Sequence, residues 1–537
     1  MKKHLSIIFV ILIALFFRLY QLGVVPQGLT WDEAAIGYNA YSILKTGKDE
    51  FGAFLPVIFK SFGDYKPGFY IYLTVPAVAI FDLTPFAVRL PSALFGSLTI
   101  FGVYLLVQKL FNKKLLSLLS ALSLALMPWH IHFSRGAWET NVFSCFLLFS
   151  IIFFINFIKD RKQSDLIITL IFALLSMATY QSGKLLTPLL LFIAWLVLDG
   201  NIKKEIATIK SFKKPYFIFP LILILVFYIA TFGGEAKNRL ERLSIFGYRP
   251  GISSQDIKLD GGKEIATFFH SEVRQKFEQI AGRYLYHFSP EVLAFQGVRF
   301  TERGHLPEFG LITIIDFALL IVGLYYFSRH FQKEALLILL FLLISPIPAS
   351  LTLEEFSSVR SFFMTIPLSI LIGSALYIIA SISPLILAPV VGLNLLVLTL
   401  ISDVYLNHSY KYFSWEYNDG YVKAMNFAAK YPDSKVVATD VYGQPYIYYL
   451  FATKYDPQKY QKENSFQSGG KDVGFVGRVG QTEFHQFGIQ DINQSKNTIF
   501  IGTVGNIPDT SAIKNLEYFQ ELTDSSNQVI LRIVKTY

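Results

Sequence analysis

Two acidic residues stand side by side at Asp32-Glu33, preceded by Thr30-Trp31 and ten residues beyond Leu22, where the first apolar run ends. A solvated charge pair is the ordinary reading of such a dipeptide. Its position argues for more. Residues 33–44 can form an amphipathic helix, and Thr30 or Asp32 can cap it. A carboxylate at a helix N-terminus, at a membrane surface and beside Trp31, suits general-base work on a hydroxyl. A further acid, Glu139, closes the stretch Ser134-Arg135-Gly136-Ala137-Trp138-Glu139.

Cations accompany these acids. Lys66 lies in Gly63-Asp64-Tyr65-Lys66-Pro67-Gly68, and Arg89 opens an apolar run in Val88-Arg89-Leu90-Pro91. Arg135 precedes Glu139, and Arg360 follows Glu354, Glu355 and Ser358. Each alone reads as a snorkelling interface residue. A long polar segment adds Tyr284-Leu285-Tyr286-His287-Phe288-Ser289-Pro290, then Arg299, Arg303 and His305. His130 and His132 are two apart and share no helix face, so they make a weak metal pair without HExxH or a carboxylate triad.

The elements that must position these residues are apolar helices. Hydrophobic residues make up 53% of 537 and charged residues 16%, against about 25% in soluble chains. The excess arrives in separate runs, which marks a polytopic membrane protein and excludes a soluble enzyme or disordered tail. Apolar runs at 5–22, 88–110, 115–133, 142–158, 165–180, 184–199, 215–232, 310–328, 335–351, 359–380 and 384–402 predict eleven spans. Segment 68–84, with Pro76 and Asp82, is read as interfacial or re-entrant. Charge supports that choice. Fifteen Lys and Arg then fall in the cytoplasmic segments, while the short outer loops hold Arg135 and Lys184. The +9 net charge therefore reports orientation, with no sign of a nucleic-acid partner. The sole cysteine, Cys145, excludes an intramolecular disulfide.

This topology puts segments 23–87, 134–141, 233–309 and 403–537 outside the cytoplasm. Residues 1–402 form the membrane module. Residues 403–537 read as a small extracytoplasmic α/β domain, with helices at 419–430 and 444–454 and strands at 435–441, 497–503 and 529–534. One membrane face thus collects two acidic loops and several cations, which fits a reaction on a membrane-bound, phosphate-bearing substrate. A transporter would need ionisable groups near mid-membrane in several spans.

Asp32-Glu33, Tyr65-Lys66-Pro67, Val88-Arg89-Leu90-Pro91-Ser92-Ala93-Leu94, Ser134–Glu139, Tyr284–Pro290 and Val359-Arg360-Ser361 with Pro367 occur in an order that resembles one family. It is glycosyltransferase family 39, the dolichyl-phosphate-mannose protein mannosyltransferases, in its bacterial branch. The lipid A aminoarabinose transferases are relatives. The resemblance runs over most of residues 1–370. It implies a C-type membrane glycosyltransferase fold and an inverting transfer of one sugar from a polyprenyl phosphate to an acceptor hydroxyl, with no cofactor or metal. It also implies roles: Asp32 as general base, Glu33 orienting it, Glu139 as second acid, and Lys66 and Arg89 on the donor phosphate. Arg135 and Arg360 are further candidates for the phosphate, and Trp31, Tyr65, Tyr284, His287 and Arg303 for substrate. The chain departs from many relatives at Gly68, where they have a second proline, and at Glu139, where they often have Asp. Other readings remain open. An oligosaccharide transferase would use a pyrophosphate donor and a metal on Asp32 and Glu139. A lipid or glycan transporter and a glycan-binding assembly protein are the non-enzymatic ones.

Overall fold

The computed structural model describes residues 5–211, 216–232, 245, 254–261, 268–297, 303, 309–329, 332–408, 417–463, 465–468, 474–523 and 527–537. It is mostly helical, with a sheet-containing C-terminal region. Contacts divide it into two compact units. One comprises Met1–Ala14, Phe95–His132 and Glu139–Leu398; the other comprises Leu15–Leu94, Phe133–Trp138 and Thr399–Tyr537.

The first unit is built from apolar helices. Glu139–Asp160 packs along Gln163–Thr179, and Thr365–Ile382 packs along both Lys114–Leu126 and Ile314–Arg329. Small residues let these backbones meet. A Cβ at Gly373 would sit 2.5 Å from Ser120 Cα, and one at Gly323 would sit 2.1 Å from the Leu371 carbonyl oxygen. Each of the eleven predicted runs contains a helix. Among the described residues, five helices are long and apolar enough to cross a membrane, or up to seven if each bent pair counts as one span. Lys114–Leu126 turns by 62° into Pro128–Ser134, because Pro128 interrupts the helical hydrogen bonding of that run. Gly183–Leu198 turns by 106° into Ile202–Lys210, around Gly200 at φ 64°. The predicted interfacial segment forms a helix, Phe69–Phe81, of 13 residues. It rises about 20 Å, less than a hydrocarbon core of about 30 Å.

In the second unit the first outer segment and the tail pack together. The helix Trp31–Thr46 is followed by a hairpin, β1 (Ile58–Ser61) and β2 (Asp64–Pro67), that pairs Phe59 with Lys66. The two-residue turn takes positive φ at Phe62 and Gly63, as the twist of a tight hairpin requires. Gly68 is required beyond it, since a Cβ there would fall 1.9 Å from the Phe59 ring. The tail adds helices Asp419–Ala428, Pro445–Thr453 and Pro457–Glu463 and a sheet. Its strands are β3 (Lys435–Ala438), β4 (Phe466–Ser468), β5 (Gly474–Val476), β6 (Arg478–Val479), β7 (Thr482–Phe484), β8 (Thr498–Gly502), β9 (Leu516–Thr523) and β10 (Val529–Thr536). Six of them run in the order β6-β7-β3-β8-β10-β9, with β3 parallel to both β7 and β8; β4 and β5 pair separately. Val437, Phe487, Ile492, Phe500, Ile507 and Val534 fill the core on this sheet.

The tail does not stand apart from the first segment. Leu29 N donates to Tyr417 O at 2.8 Å, Tyr448 OH to Leu29 O at 3.1 Å and Tyr38 OH to Tyr455 O at 3.0 Å. Gln461 Nε2 reaches Ser42, Thr46 and Asp49. The division by contacts therefore differs from a division at residue 402.

Candidate active site

Thr30 caps the helix that carries the acid pair. Glu33 N donates to Thr30 Oγ1 at 3.1 Å, and Thr30 N donates back to Glu33 Oε2 at 3.1 Å. This reciprocal capping box satisfies two donors that a helix start otherwise leaves open. Of the two caps the sequence allowed, Thr30 is the one used, and Asp32 lies in the first turn.

Glu33 turns inward and is buried. Arg89 Nε donates to its Oε1 at 2.8 Å and Arg89 Nη2 to its Oε2 at 3.1 Å. The backbone N–H of Ala137 donates to Oε1 at 3.0 Å. Arg89 also donates to the carbonyls of Leu22, Pro26 and Gly28 and lies over the Tyr417 ring. Its guanidinium is thus committed to Glu33 and the loop backbone, away from the phosphate role the resemblance implies. Arg135 is similarly placed. It is fully buried and donates to the carbonyls of Phe17, Tyr20 and Val25. These arginines hold together the irregular stretch before the helix, whose carbonyls would otherwise lack donors.

Asp32 turns the other way. It pairs with Lys66, which the hairpin delivers from β2, and the two side chains remain 37% and 25% exposed. An open carboxylate beside an open ammonium can do two things at once. The acid can accept a proton, and the cation can meet a negatively charged oxygen. Trp31 borders them, partly exposed, and Tyr65 sits beside Lys66 on the hairpin opposite Lys60.

The remaining candidates lie in the other unit. Glu139 opens the helix Glu139–Asp160, where the helix dipole favours a carboxylate. Arg360 pairs with Glu354 and donates to Ser357 Oγ at 3.2 Å. Tyr284 OH donates to Leu343 O at 2.8 Å. His287 is buried; its Nδ1 is 2.7 Å from Arg283 O, and its ring stacks on Phe356 at 4.5 Å. Burial pushes this imidazole down to about 4, so it is neutral at physiological pH. Both side chains tie the helix Glu272–Tyr286 to its neighbours. His132 Nε2 donates to Arg303 O at 2.7 Å, and His130 stacks on Phe362. Among the described residues there is no group of three or more His, Cys, Asp or Glu suited to a metal. Arg299 and His305 lie outside the described residues.

Sequence reasoning missed three contributors. Ala137 acts through its backbone, which leaves no side-chain signal. Tyr417 packs on Arg89 from 328 positions away. Gly443, at φ 110°, brings a tail turn onto the Trp31 ring, with a Cβ there 3.0 Å from it. Gly28 was the available hint of the tail's approach. Its φ is 79°, and a Cβ would fall 2.4 Å from Tyr417 O.

Comparison with known proteins bears on the family pattern and the fold. Residues 66–230 match the model of the dolichyl-phosphate-mannose-protein mannosyltransferase family, so this part of the chain carries the sequence pattern of a glycosyltransferase family. Over its whole length the chain shares the fold of ArnT from Cupriavidus metallidurans. The apo structure of ArnT matches with a TM-score of 0.57 at 12% identity, covering 98% of this chain and 97% of that one. The structure of ArnT bound to undecaprenyl phosphate matches with a TM-score of 0.55, at the same identity and coverage. No curated protein matches the chain in sequence. These findings agree with the expected family over residues 66–230 and with the expected fold over the whole chain.

Proposed function

We propose that this protein is an integral-membrane inverting glycosyltransferase that moves a single sugar from a polyprenyl-phosphate donor to an acceptor hydroxyl on the extracytoplasmic face. The observation that carries this reading is the partly exposed Asp32–Lys66 pair, set beside an acid that is buried and paired with Arg89. The mannosyltransferase pattern over residues 66–230, and the undecaprenyl phosphate bound by a protein of the same fold, support the donor class.

The residues divide the work as follows. The acceptor oxygen attacks the anomeric carbon while its proton passes to Asp32. The bond from that carbon to the phosphate oxygen breaks, and the polyprenyl phosphate leaves with one more negative charge. Lys66 offsets that charge, and in turning to the phosphate it frees Asp32 to accept the proton. Glu33 and Arg89 fix the helix start that aims Asp32. Glu139 is the second acid, and Arg360 is a further cation for the phosphate. Trp31, Tyr65, Tyr284 and Arg303 are candidates for substrate contact, and His287 for support of that segment. Eleven crossings with the N-terminus in the cytoplasm place segment 23–87 and the tail outside.

The test uses purified protein in detergent with radiolabelled polyprenyl-phosphate sugars and a mixed membrane and cell-wall acceptor pool. Asp32→Asn should lower transfer by about 10²–10⁴-fold. Its stability should change little, because a partly exposed ion pair is worth at most about 1 kcal/mol. Lys66→Ala should lose activity as well, and EDTA should have no effect. Transfer that survives in Asp32→Asn would move the base to another acid. Transfer from no such donor, by a folded protein that still binds the lipid, would sink the reading.

A further inference from the structure

The tail brings more than a cover to the second unit. Strands β7, β3 and β8 run parallel with β3 in the middle, and the chain leaves β3 for β7 and then crosses to β8 on the other side. In open α/β sheets, the loops at the carboxyl ends of such strands border the crevice where ligands bind. Here those loops are tied into one patch. Gln486, after β7, donates its Nε2 to Thr439 Oγ1 at 3.0 Å and to the Asp440 carboxylate. Asn506, after β8, donates to Gln486 Oε1 at 3.2 Å and to Phe487 O at 2.9 Å. His485 N donates to Ala438 O at 3.0 Å. These hydrogen bonds hold the loops in one arrangement, which lowers the entropy cost of binding there.

A second observation gives the patch a direction. The turn from Asp440 to Gly443, closed by Gly443 N on Asp440 O at 3.1 Å, descends onto Trp31. Trp31 is the residue before Asp32, so one short loop joins the strand ends to the exposed acid.

The side chains at this edge suit sugars. Asp440 and Gln486 are exposed, and Trp31, Tyr442 and Gln444 are partly so. A hydroxyl both donates and accepts, and adjacent hydroxyls are met by a carboxylate and a side-chain amide placed together. The apolar face of a sugar ring stacks on an aromatic ring. A peptide would be expected to use a free strand edge, but β7, β3 and β8 are each paired on both sides. The exposed apolar side chains here, Val441 and Val504, sit on separate loops.

We propose that the carboxyl-end edge of β7, β3 and β8 is the acceptor subsite, and that its ligand is a hydroxyl-rich glycan delivered over Trp31 to Asp32. This rests on the reading above that Asp32 activates an acceptor hydroxyl. The test uses the full chain in lipid nanodiscs. Cellotriose, maltotriose, mannotriose and chitotriose are probed by saturation-transfer NMR, with undecaprenyl phosphate binding measured alongside. At least one triose should give signal with wild type. That signal should fall at least fivefold in Asp440→Ala/Gln486→Ala, and in the milder Asp440→Asn if the double variant is unstable. It should persist in Glu517→Gln, on β9, and lipid binding should be unchanged throughout. Absence of any triose signal would overturn the proposal. So would a signal that survives the Asp440 variants, or a Ser/Thr-rich peptide binding here in place of the trioses. Triose binding that depends on Asp440, in a protein that transfers no sugar from any polyprenyl phosphate, would sink the transferase reading and leave the glycan site standing.

Discussion

Arg89 Nε lies 2.8 Å from Glu33 Oε1, with neither side chain more than 4% exposed, while the neighbouring Asp32 faces outward to Lys66. Two consecutive acids of one dipeptide therefore have different surroundings. Glu33 is held inside the protein by Arg89 and the Ala137 N–H, and in the proposed reaction it positions Asp32.

Removing one member of this pair leaves the other charged and buried. Arg89→Met should destabilise the protein by about 3–5 kcal/mol. Glu33→Gln/Arg89→Met should recover part of that loss. Denaturation of the purified variants in detergent, read as a double-mutant cycle, measures the coupling. Losses that simply add would show that the pair is not coupled.

Glu50 predicts a pH dependence. It is fully buried, accepts from Asn39 Nδ2 at 3.0 Å and lies 3.5 Å from Tyr446 OH. Burial pushes its carboxyl up from 4.5 to about 8, against the stabilising Asn39 hydrogen bond. The folded chain therefore holds this proton to about pH 8, whereas the unfolded chain releases it near 4.5. The stability from proton uptake is full below the lower value and is lost as pH rises through the upper one. Glu50→Gln, neutral at every pH, should melt progressively higher than wild type as pH goes from 5 to 8.5. Parallel melting curves for the two proteins across that range would refute a proton on Glu50.

The hairpin offers a steric test. A methyl group at Gly68 must displace the Phe59 ring, and Phe59 is paired with Lys66 across the strands. Gly68→Ala should destabilise by about 1–3 kcal/mol and should lower transfer by moving Lys66. Phe59→Leu in the same chain should restore part of both. Wild-type activity in Gly68→Ala would mean that Lys66 does not need this hairpin geometry.

Topology can be read with thiol labelling, because Cys145 is buried and contributes little background. A cysteine at Asp509 in the tail should react with an impermeant maleimide in intact cells. One at Lys114 should react only after permeabilisation. The reverse pattern would invert the proposed orientation.

The candidate residues stood out in the sequence because their types and neighbours are local. The Thr30–Glu33 capping box is a four-residue pattern, and the strand and helix runs of the tail alternate visibly. What could not be read was the direction in which each side chain turns. Asp32 and Glu33 are equivalent on paper, and Arg89 is as plausible over a phosphate as over Glu33. The partners that decide the matter, Tyr417 and the Ala137 N–H, come from distant segments with no local signature. The break at Pro128 had a sequence sign, since a proline inside an apolar run interrupts its helix. The change of direction at Gly200 depends on a single left-handed residue.

The hydrogen bonds between Leu29 and the tail residues Tyr417 and Tyr448 join segments made early and late in biosynthesis. The acid-bearing helix is among the first segments made, yet its surroundings are complete only once residues 417–448, about four-fifths of the way along the chain, have been made. Until then the helix start lacks Tyr417 over Arg89 and the turn over Trp31. A nascent chain thus carries Asp32, Lys66 and Arg89 well before Tyr417 and the turn at Gly443 exist to complete their surroundings.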